Sequence, residues 1–207
     1  MRELLQSNPV IPVITLEQVQ DAVPLAQALV SGGLNVLEIT LRTDAAVDGI
    51  REIIKHVPEA IVGTGTVCSE EQVKLSEDLG CQFMISPGIT NRLLKLAENI
   101  SVPFLPGISS VSELMLGKEY GLKTFKFFPA EASGGVATLK SLAGPFGEVK
   151  FCPTGGIGTH NALDYLSLPN VLSVGGSWIA QQKLIREKRW EEIENLAREA
   201  KQFSASS

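Results

Sequence analysis

This sequence of 207 residues is poor in the side chains that most often carry enzyme chemistry. It has two histidines, His56 and His160, and three cysteines, Cys68, Cys81 and Cys152. The cysteines are odd in number and widely spaced, so they make neither a CxxC pair nor a disulfide framework, which suits a reducing cytoplasm. Neither histidine stands in a metal-ligand spacing, so no metal and no cofactor is expected. These five residues read as surface or packing positions. No apolar run is long enough to cross a bilayer, and Met1-Arg2-Glu3-Leu4-Leu5-Gln6-Ser7 lacks the apolar core of a secretory signal. Positive charge is not in excess either. Eighteen Lys and Arg against 23 Asp and Glu leave a net charge of −5, which offers no general attraction to nucleic acid or to an anionic membrane. A local basic patch for a phosphorylated small molecule is still compatible with that total.

What is present is regular alternation. Short β-rich apolar runs at 10–15, 36–40, 60–63, 83–86, 103–105, 124–128, 150–153 and 171–174 are separated by amphipathic stretches at 16–31, 45–56, 70–79, 91–98, 111–120, 136–143, 159–166 and 190–203. The last of these has a clear apolar stripe, Trp190, Ile193, Leu196, Ala197 and Ala200. Strand–helix alternation implies a parallel sheet, and eight units are the count that closes a (β/α)8 TIM barrel. The expectation is one α/β barrel domain over residues 1–207, with brief loops. A doubly wound open sheet would call for a Gly-rich turn after the first strand, where Thr15-Leu16-Glu17 stands instead.

In such a barrel the site lies at the C-terminal strand ends. Two charged residues stand in the middle of strand patterns, apart from Lys150 at the first position of its run. In Thr124-Phe125-Lys126-Phe127-Phe128-Pro129, Thr124, Lys126 and Phe128 share one face and Phe125 and Phe127 the other. A buried lysine needs a partner or a purpose, and a desolvated amine becomes a nucleophile able to attack a ketone. A lysine snorkelling from a strand end is the plainer alternative. Val36, Glu38, Thr40 and Arg42 share an alternation phase opposite the aliphatic Leu37, Ile39 and Leu41, so Glu38 should point into the barrel. A carboxylate and an amine there are either a structural ion pair or a nucleophile with its proton shuttle. The double glycines after strands seven and eight, Gly155-Gly156 and Gly175-Gly176-Ser177, occupy the place where this fold commonly holds phosphate on loop amides and a short helix. Two tight turns that need glycine would look the same.

Six segments in order carry a resemblance: Glu38-Ile39-Thr40-Leu41-Arg42-Thr43, Gly63-Thr64-Gly65-Thr66-Val67, Ser86-Pro87-Gly88-Ile89-Thr90, Phe125-Lys126-Phe127-Phe128-Pro129-Ala130-Glu131, Pro153-Thr154-Gly155-Gly156-Ile157 and Gly175-Gly176-Ser177-Trp178. Together they resemble the bacterial 2-keto-3-deoxy-6-phosphogluconate (KDPG) aldolases, a family that includes enzymes cleaving 4-hydroxy-2-oxoglutarate (KHG). The resemblance implies a class I aldolase on a (β/α)8 barrel, without metal, cytoplasmic and assembled as a homotrimer. It implies Lys126 as the Schiff-base lysine and Glu38 as general acid and base. Arg42 and Thr66 would hold the carboxylate of a pyruvyl group in a pocket shaped by Pro87 and Phe128. Gly155, Gly156, Gly176 and Ser177, with Thr154 nearby, would take the phosphate. The implied partners are a phosphorylated 2-keto-3-deoxy sugar acid and pyruvate. Two rivals remain: a phosphate-binding isomerase or epimerase with a non-covalent Lys126, and a silent barrel that senses a phosphorylated metabolite. Glu131 reads as surface loop.

Overall fold

The structure is a computed structural model, and it describes residues 1–203. Its strands are β1 (Val10–Ile14), β2 (Val36–Thr40), β3 (Ile61–Gly65), β4 (Phe83–Ile85), β5 (Phe104–Leu105), β6 (Gly107–Ile108), β7 (Thr124–Phe127), β8 (Lys150–Pro153) and β9 (Val174–Gly176). All pairings between these strands are parallel. One sheet has the order β5-β4-β3-β2-β1-β9 and the other β6-β7-β8. The helices are α1 (Arg2–Gln6), α2 (Ala22–Ser31), α3 (Ala45–His56), α4 (Glu70–Asp78), α5 (Asn91–Ala97), α6 (Val111–Glu119), α7 (Gly135–Ala143), α8 (Ala162–Leu166), α9 (Gln182–Arg186) and α10 (Trp190–Lys201).

The expected eight-stranded ladder is thus drawn as two curled parallel sheets. The break lies at Pro106, between β5 and β6, because proline has no N–H to give a ladder. Its carbonyl still accepts from the Lys126 N–H at 2.9 Å, so the fifth run pairs with β4 through its first half and with β7 through its second. The expected eighth strand also divides its bonds. Phe151 donates to the Asn170 carbonyl and accepts from the Leu172 N–H, and only then does Val174–Gly176 pair with β1. An isolated bridge joins Thr154 to Gly175. Polar caps set where each chain turns from strand to helix. Ser69 and Thr90 accept from Gln72 and Leu93 N–H groups at the starts of α4 and α5, and Ser110 with Glu113 forms a capping box on α6. The stretch 16–31 opens with a 3-10 turn, Val19–Asp21, before α2 begins. Helices α1 and α9 have no counterpart in the sequence reading.

Alternation along the strands sorts the core into two faces. Leu37, Ile39, Phe125, Phe127 and Phe151 pack outward in one cluster with helix residues such as Leu25, Ile50, Leu114, Ile193, Ala197 and Ala200. Ile11, Val36, Phe83, Ile85, Leu105, Cys152 and Leu172 form an inner cluster. Leu5 of α1, fully buried, joins that inner set. Most of its strand partners lie at or near strand beginnings, so α1 seals the sheets at the end opposite the Gly-rich loops. Truncating Leu5 to alanine should cost about 2–5 kcal/mol by opening an interior cavity. The urea midpoint reads this; an unchanged midpoint would remove α1 from the core.

Candidate active site

Glu38 in β2 and Lys126 in β7 lie 88 positions apart in sequence, yet Lys126 Nζ donates to Glu38 Oε1 at 3.0 Å. Their side chains are 2% and 6% exposed. Both stand on the inner phase of their strands, as the alternation pattern predicts. Neighbouring strands supply the room. Glu38 pairs with Gly63 and Thr40 with Gly65, and Lys126 pairs with Gly107 and Cys152. A Cβ at Gly65 would sit 2.7 Å from Glu38 Cγ and 2.9 Å from Cδ, so glycine is required there by close approach. Lys126 Nζ also lies 5.4 Å from the centroid of the Phe128 ring, within cation–π range.

A second polar contact extends the site past the strand ends. Arg42 Nε donates to Thr66 Oγ1 at 3.0 Å, and Thr66 holds a left-handed φ of 63°. That conformation is uncommon for a β-branched residue and marks a position held by its surroundings. A cavity of about 140 Å³ opens beside these groups. Of the residues singled out from the sequence, Arg42, Lys126, Phe128, Thr154, Gly155, Gly156 and Ser177 line it. Glu38 joins through its bond to Lys126, and Thr66 through Arg42. Pro87 and Gly176 are not on its wall. The Pro87 carbonyl backs Gly107, and Gly176 lies under the Trp178 ring, where a Cβ would come within 2.6 Å of Cη2. Val13, Thr15, Ile157 and Gly175 complete the wall. Val13 and Thr15 share the phase of Ile11 on β1, a signal that could have found them.

The glycine loop after β8 leaves several polar groups without protein partners. Gly155 and Gly156 both hold positive φ, 104° and 76°. Among the described residues the N–H groups of Gly156 and Ile157 donate to no protein acceptor. The Thr154 hydroxyl is buried and likewise unpartnered. Successive unpaired amides of this kind are what backbone anion nests are made of. The helix read over 159–166 begins at Ala162 and has five residues. Among the described residues no three His, Cys, Asp or Glu side chains gather as a metal site. Burial pushes the Cys152 thiol, directly beside Lys126, up to about 12; Lys126 opposes that shift and Glu38 adds to it.

A parallel α/β protein with an amine–carboxylate pair on its inner face, open to a small cavity, belongs to the class of enzymes suited to imine chemistry. Comparison with known proteins narrows the class: the family model for KDPG and KHG aldolase matches residues 1–196, and the chain belongs to that family. It is 55% identical to the KHG/KDPG aldolase of Escherichia coli K12 over 95% of this chain and 92% of that protein. It superposes on the KDPG aldolase of Legionella pneumophila, crystallised with pyruvate captured as a covalent carbinolamine, with a TM-score of 0.95 and 44% identity over 97% of both chains. The Zymomonas mobilis enzyme with 3-phosphoglycerate gives 0.92 and 45%, covering 99% of this chain and 96% of that one.

The three thiols should separate cleanly by reactivity. Cys68 is exposed, while Cys81 and Cys152 are buried with their thiols pushed up to about 12. Thiolate is the reactive form, so Ellman's reagent at neutral pH should titrate one thiol in the native protein and all three in denaturant. Rapid native labelling of Cys152 would contradict its placement.

Proposed function

We propose that this chain is a class I aldolase that cleaves KDPG to pyruvate and glyceraldehyde 3-phosphate through an imine on Lys126. KHG, giving pyruvate and glyoxylate, would use the same pocket. The observation that carries the reading is the buried Lys126–Glu38 pair beside the cavity. As a source of stability such a pair is poor, because desolvation offsets most of its Coulombic gain. As chemistry it is well matched: one proton moving from ammonium to carboxylate leaves a neutral amine and an acid in contact.

The steps follow. The Lys126 amine adds to the C2 ketone, and Glu38 protonates the departing hydroxyl so that the carbinolamine loses water to form a protonated imine. The resulting Glu38 carboxylate takes the C4 hydroxyl proton. The C3–C4 bond then breaks, its electron pair entering the imine to give an enamine while C4 leaves as the aldehyde. Protonation at C3 and addition of water to the imine release pyruvate and restore the amine. Arg42, oriented by Thr66, would hold the substrate carboxylate, where its planar fork suits two oxygens. Phe128 would close over the bound keto acid. The Gly155-Gly156 loop would receive the phosphate on the N–H groups of Gly156 and Ile157, with Ser177 and the free Thr154 hydroxyl. Pro87 and Gly176 would act from behind the wall, by supporting Gly107 and seating Trp178.

The same reading makes the two sheets parts of one (β/α)8 barrel domain. The continuity of chain through Pro106 and the bridge from Thr154 to Gly175 support closure on both sides of β6-β7-β8. The cytoplasmic homotrimer implied by the resemblance would draw on Val111 and Met115, exposed and one turn apart on α6; sedimentation equilibrium reads that state directly.

Incubation with pyruvate and borohydride should give a single reduced adduct, mapping to Lys126 by peptide mass spectrometry. Lys126→Ala should form none and lose turnover while keeping its circular dichroism spectrum. Absence of an adduct at saturating pyruvate would transfer the assignment to a non-covalent phosphate-binding barrel. Gly65→Ala should displace the Glu38 carboxylate and lower kcat roughly 100-fold, the scale expected for misplacing a reacting group by about 1 Å. A wild-type kcat in that variant would remove Glu38 from proton transfer.

A further inference from the structure

Glu131 and Tyr165 form a contact that none of the steps above uses. Glu131 opens the 3-10 turn Glu131–Ser133 that follows the lysine strand. Tyr165 lies in α8, beyond the glycine loop, and is fully buried. Its hydroxyl donates to Glu131 Oε1. Burial, reinforced by that carboxylate, raises the phenol above its usual range, so it is held as the neutral donor. Two backbone bonds run beside this contact: Ala130 N–H to the Thr154 carbonyl at 2.8 Å and Glu131 N–H to the Gly155 carbonyl at 3.1 Å.

The Glu131 side chain therefore spans the glycine loop. A Cβ at Gly156 would lie 2.6 Å from Glu131 Cγ and 2.8 Å from its Cβ. On the other side a Cβ at Gly135, the first residue of α7, would lie 3.0 Å from the Tyr165 hydroxyl and 3.2 Å from Glu131 Oε1. Asn161 ties the far end of the same loop, donating to the Gly156 carbonyl at 3.1 Å and accepting from the Gly158 N–H at 2.9 Å. The loop whose amides are left free is thus braced at both ends, and the Glu131–Tyr165 bond is the side-chain brace toward the lysine strand.

We propose that Glu131 and Tyr165 are positioning residues for the phosphate end of the substrate: their bond holds Gly155-Gly156 in the left-handed form that leaves the Gly156 and Ile157 N–H groups free beside the cavity. Neither residue is on the cavity wall, so the proposed role is exerted through the loop. The tie to Tyr165 also keeps the Glu131 charge directed at α8 and away from an incoming anion. The brace acts on a phosphorylated substrate and leaves an unphosphorylated one indifferent, which makes it a determinant of preference between KDPG and KHG. This rests on the aldolase reading.

Glu131→Ala, Tyr165→Phe and Glu131→Gln separate the possibilities, the last because an amide oxygen still accepts from the tyrosine. The first two should raise KM for KDPG about tenfold, the scale of one lost hydrogen bond to a charged group. Their kcat on KDPG, kcat/KM on KHG and pyruvate–borohydride adduct on Lys126 should stay within about twofold of wild type, a spread worth little free energy. Glu131→Gln should stay near wild type throughout. Calorimetric titration of the same proteins with glycerol 3-phosphate should show the same weakening without any turnover. Parallel losses on KDPG and KHG, or unchanged KM and glycerol 3-phosphate affinity, would overturn the proposal. Failure of the wild-type protein to trap pyruvate would instead strike the aldolase reading, and the glycerol 3-phosphate titration would still decide the brace.

Discussion

An ammonium and a carboxylate in contact inside a protein constrain everything around them. Removing either partner of such a pair, or merely separating them, leaves a buried charge uncompensated at about 3–5 kcal/mol. Glu38 and Lys126 sit in different sheets, so the pair is kept only if both sheets hold their register. A slip of one residue in either strand would turn its charged side chain toward the helices, among Leu37, Ile39, Phe125 and Phe127. The pair therefore acts as a register mark for the sheets as well as a chemical group.

Space on the inner face follows from the same requirement. Glu38 lies against Gly65, where any side chain would collide with it, while Gly63 gives way to the Phe83 ring and Gly107 to the Pro87 backbone. Where long apolar groups return, at Phe83 and Ile85 on β4 and Leu105 on β5, they fill the volume the glycines leave. The chemistry thus divides by rigidity. The amine and carboxylate are fixed on strands, whereas the groups proposed to meet the anions lie on loops with left-handed backbone, at Thr66, Gly155 and Gly156. A reacting atom tolerates less displacement than a phosphate does, and the division matches that difference.

Much of this was legible in the sequence because period-two alternation is a local signal. It assigned Lys126 and Glu38 to the inner face and Phe125, Phe127, Leu37 and Ile39 to the outer one, and the structure agrees. The glycine-loop positions came from their place at strand ends, and the roles of Arg42 and Thr66 came only from the family resemblance. The missed elements had no such signal. Helices α1 and α9 have five residues each, too few for a helical period to declare itself. The fifth strand was read as ending at 105, yet its chain resumes pairing past Pro106. The last strand was read over 171–174 from its apolar character, whereas its pairing with β1 begins at Val174 and runs on through Gly175 and Gly176, residues with low strand propensity. Glu131 was read as surface loop. It is exposed, but its bond to Tyr165 crosses 34 positions of chain, a distance over which no local pattern speaks.

Leu5 has a consequence for traffic. With α1 wedged among residues near the strand beginnings, the inner face has a floor, and the cavity beside Lys126 opens at the opposite end, along the glycine loop. Lys126 stands between floor and mouth. In the proposed reaction the fragment bound to that lysine is therefore the one parked deeper, and the aldehyde stands between it and the exit. Departure is then a stack, last in and first out: aldehyde first, keto acid second. Run backward, the same stack dictates order of arrival, with the keto acid admitted and tethered before an aldehyde can dock against it.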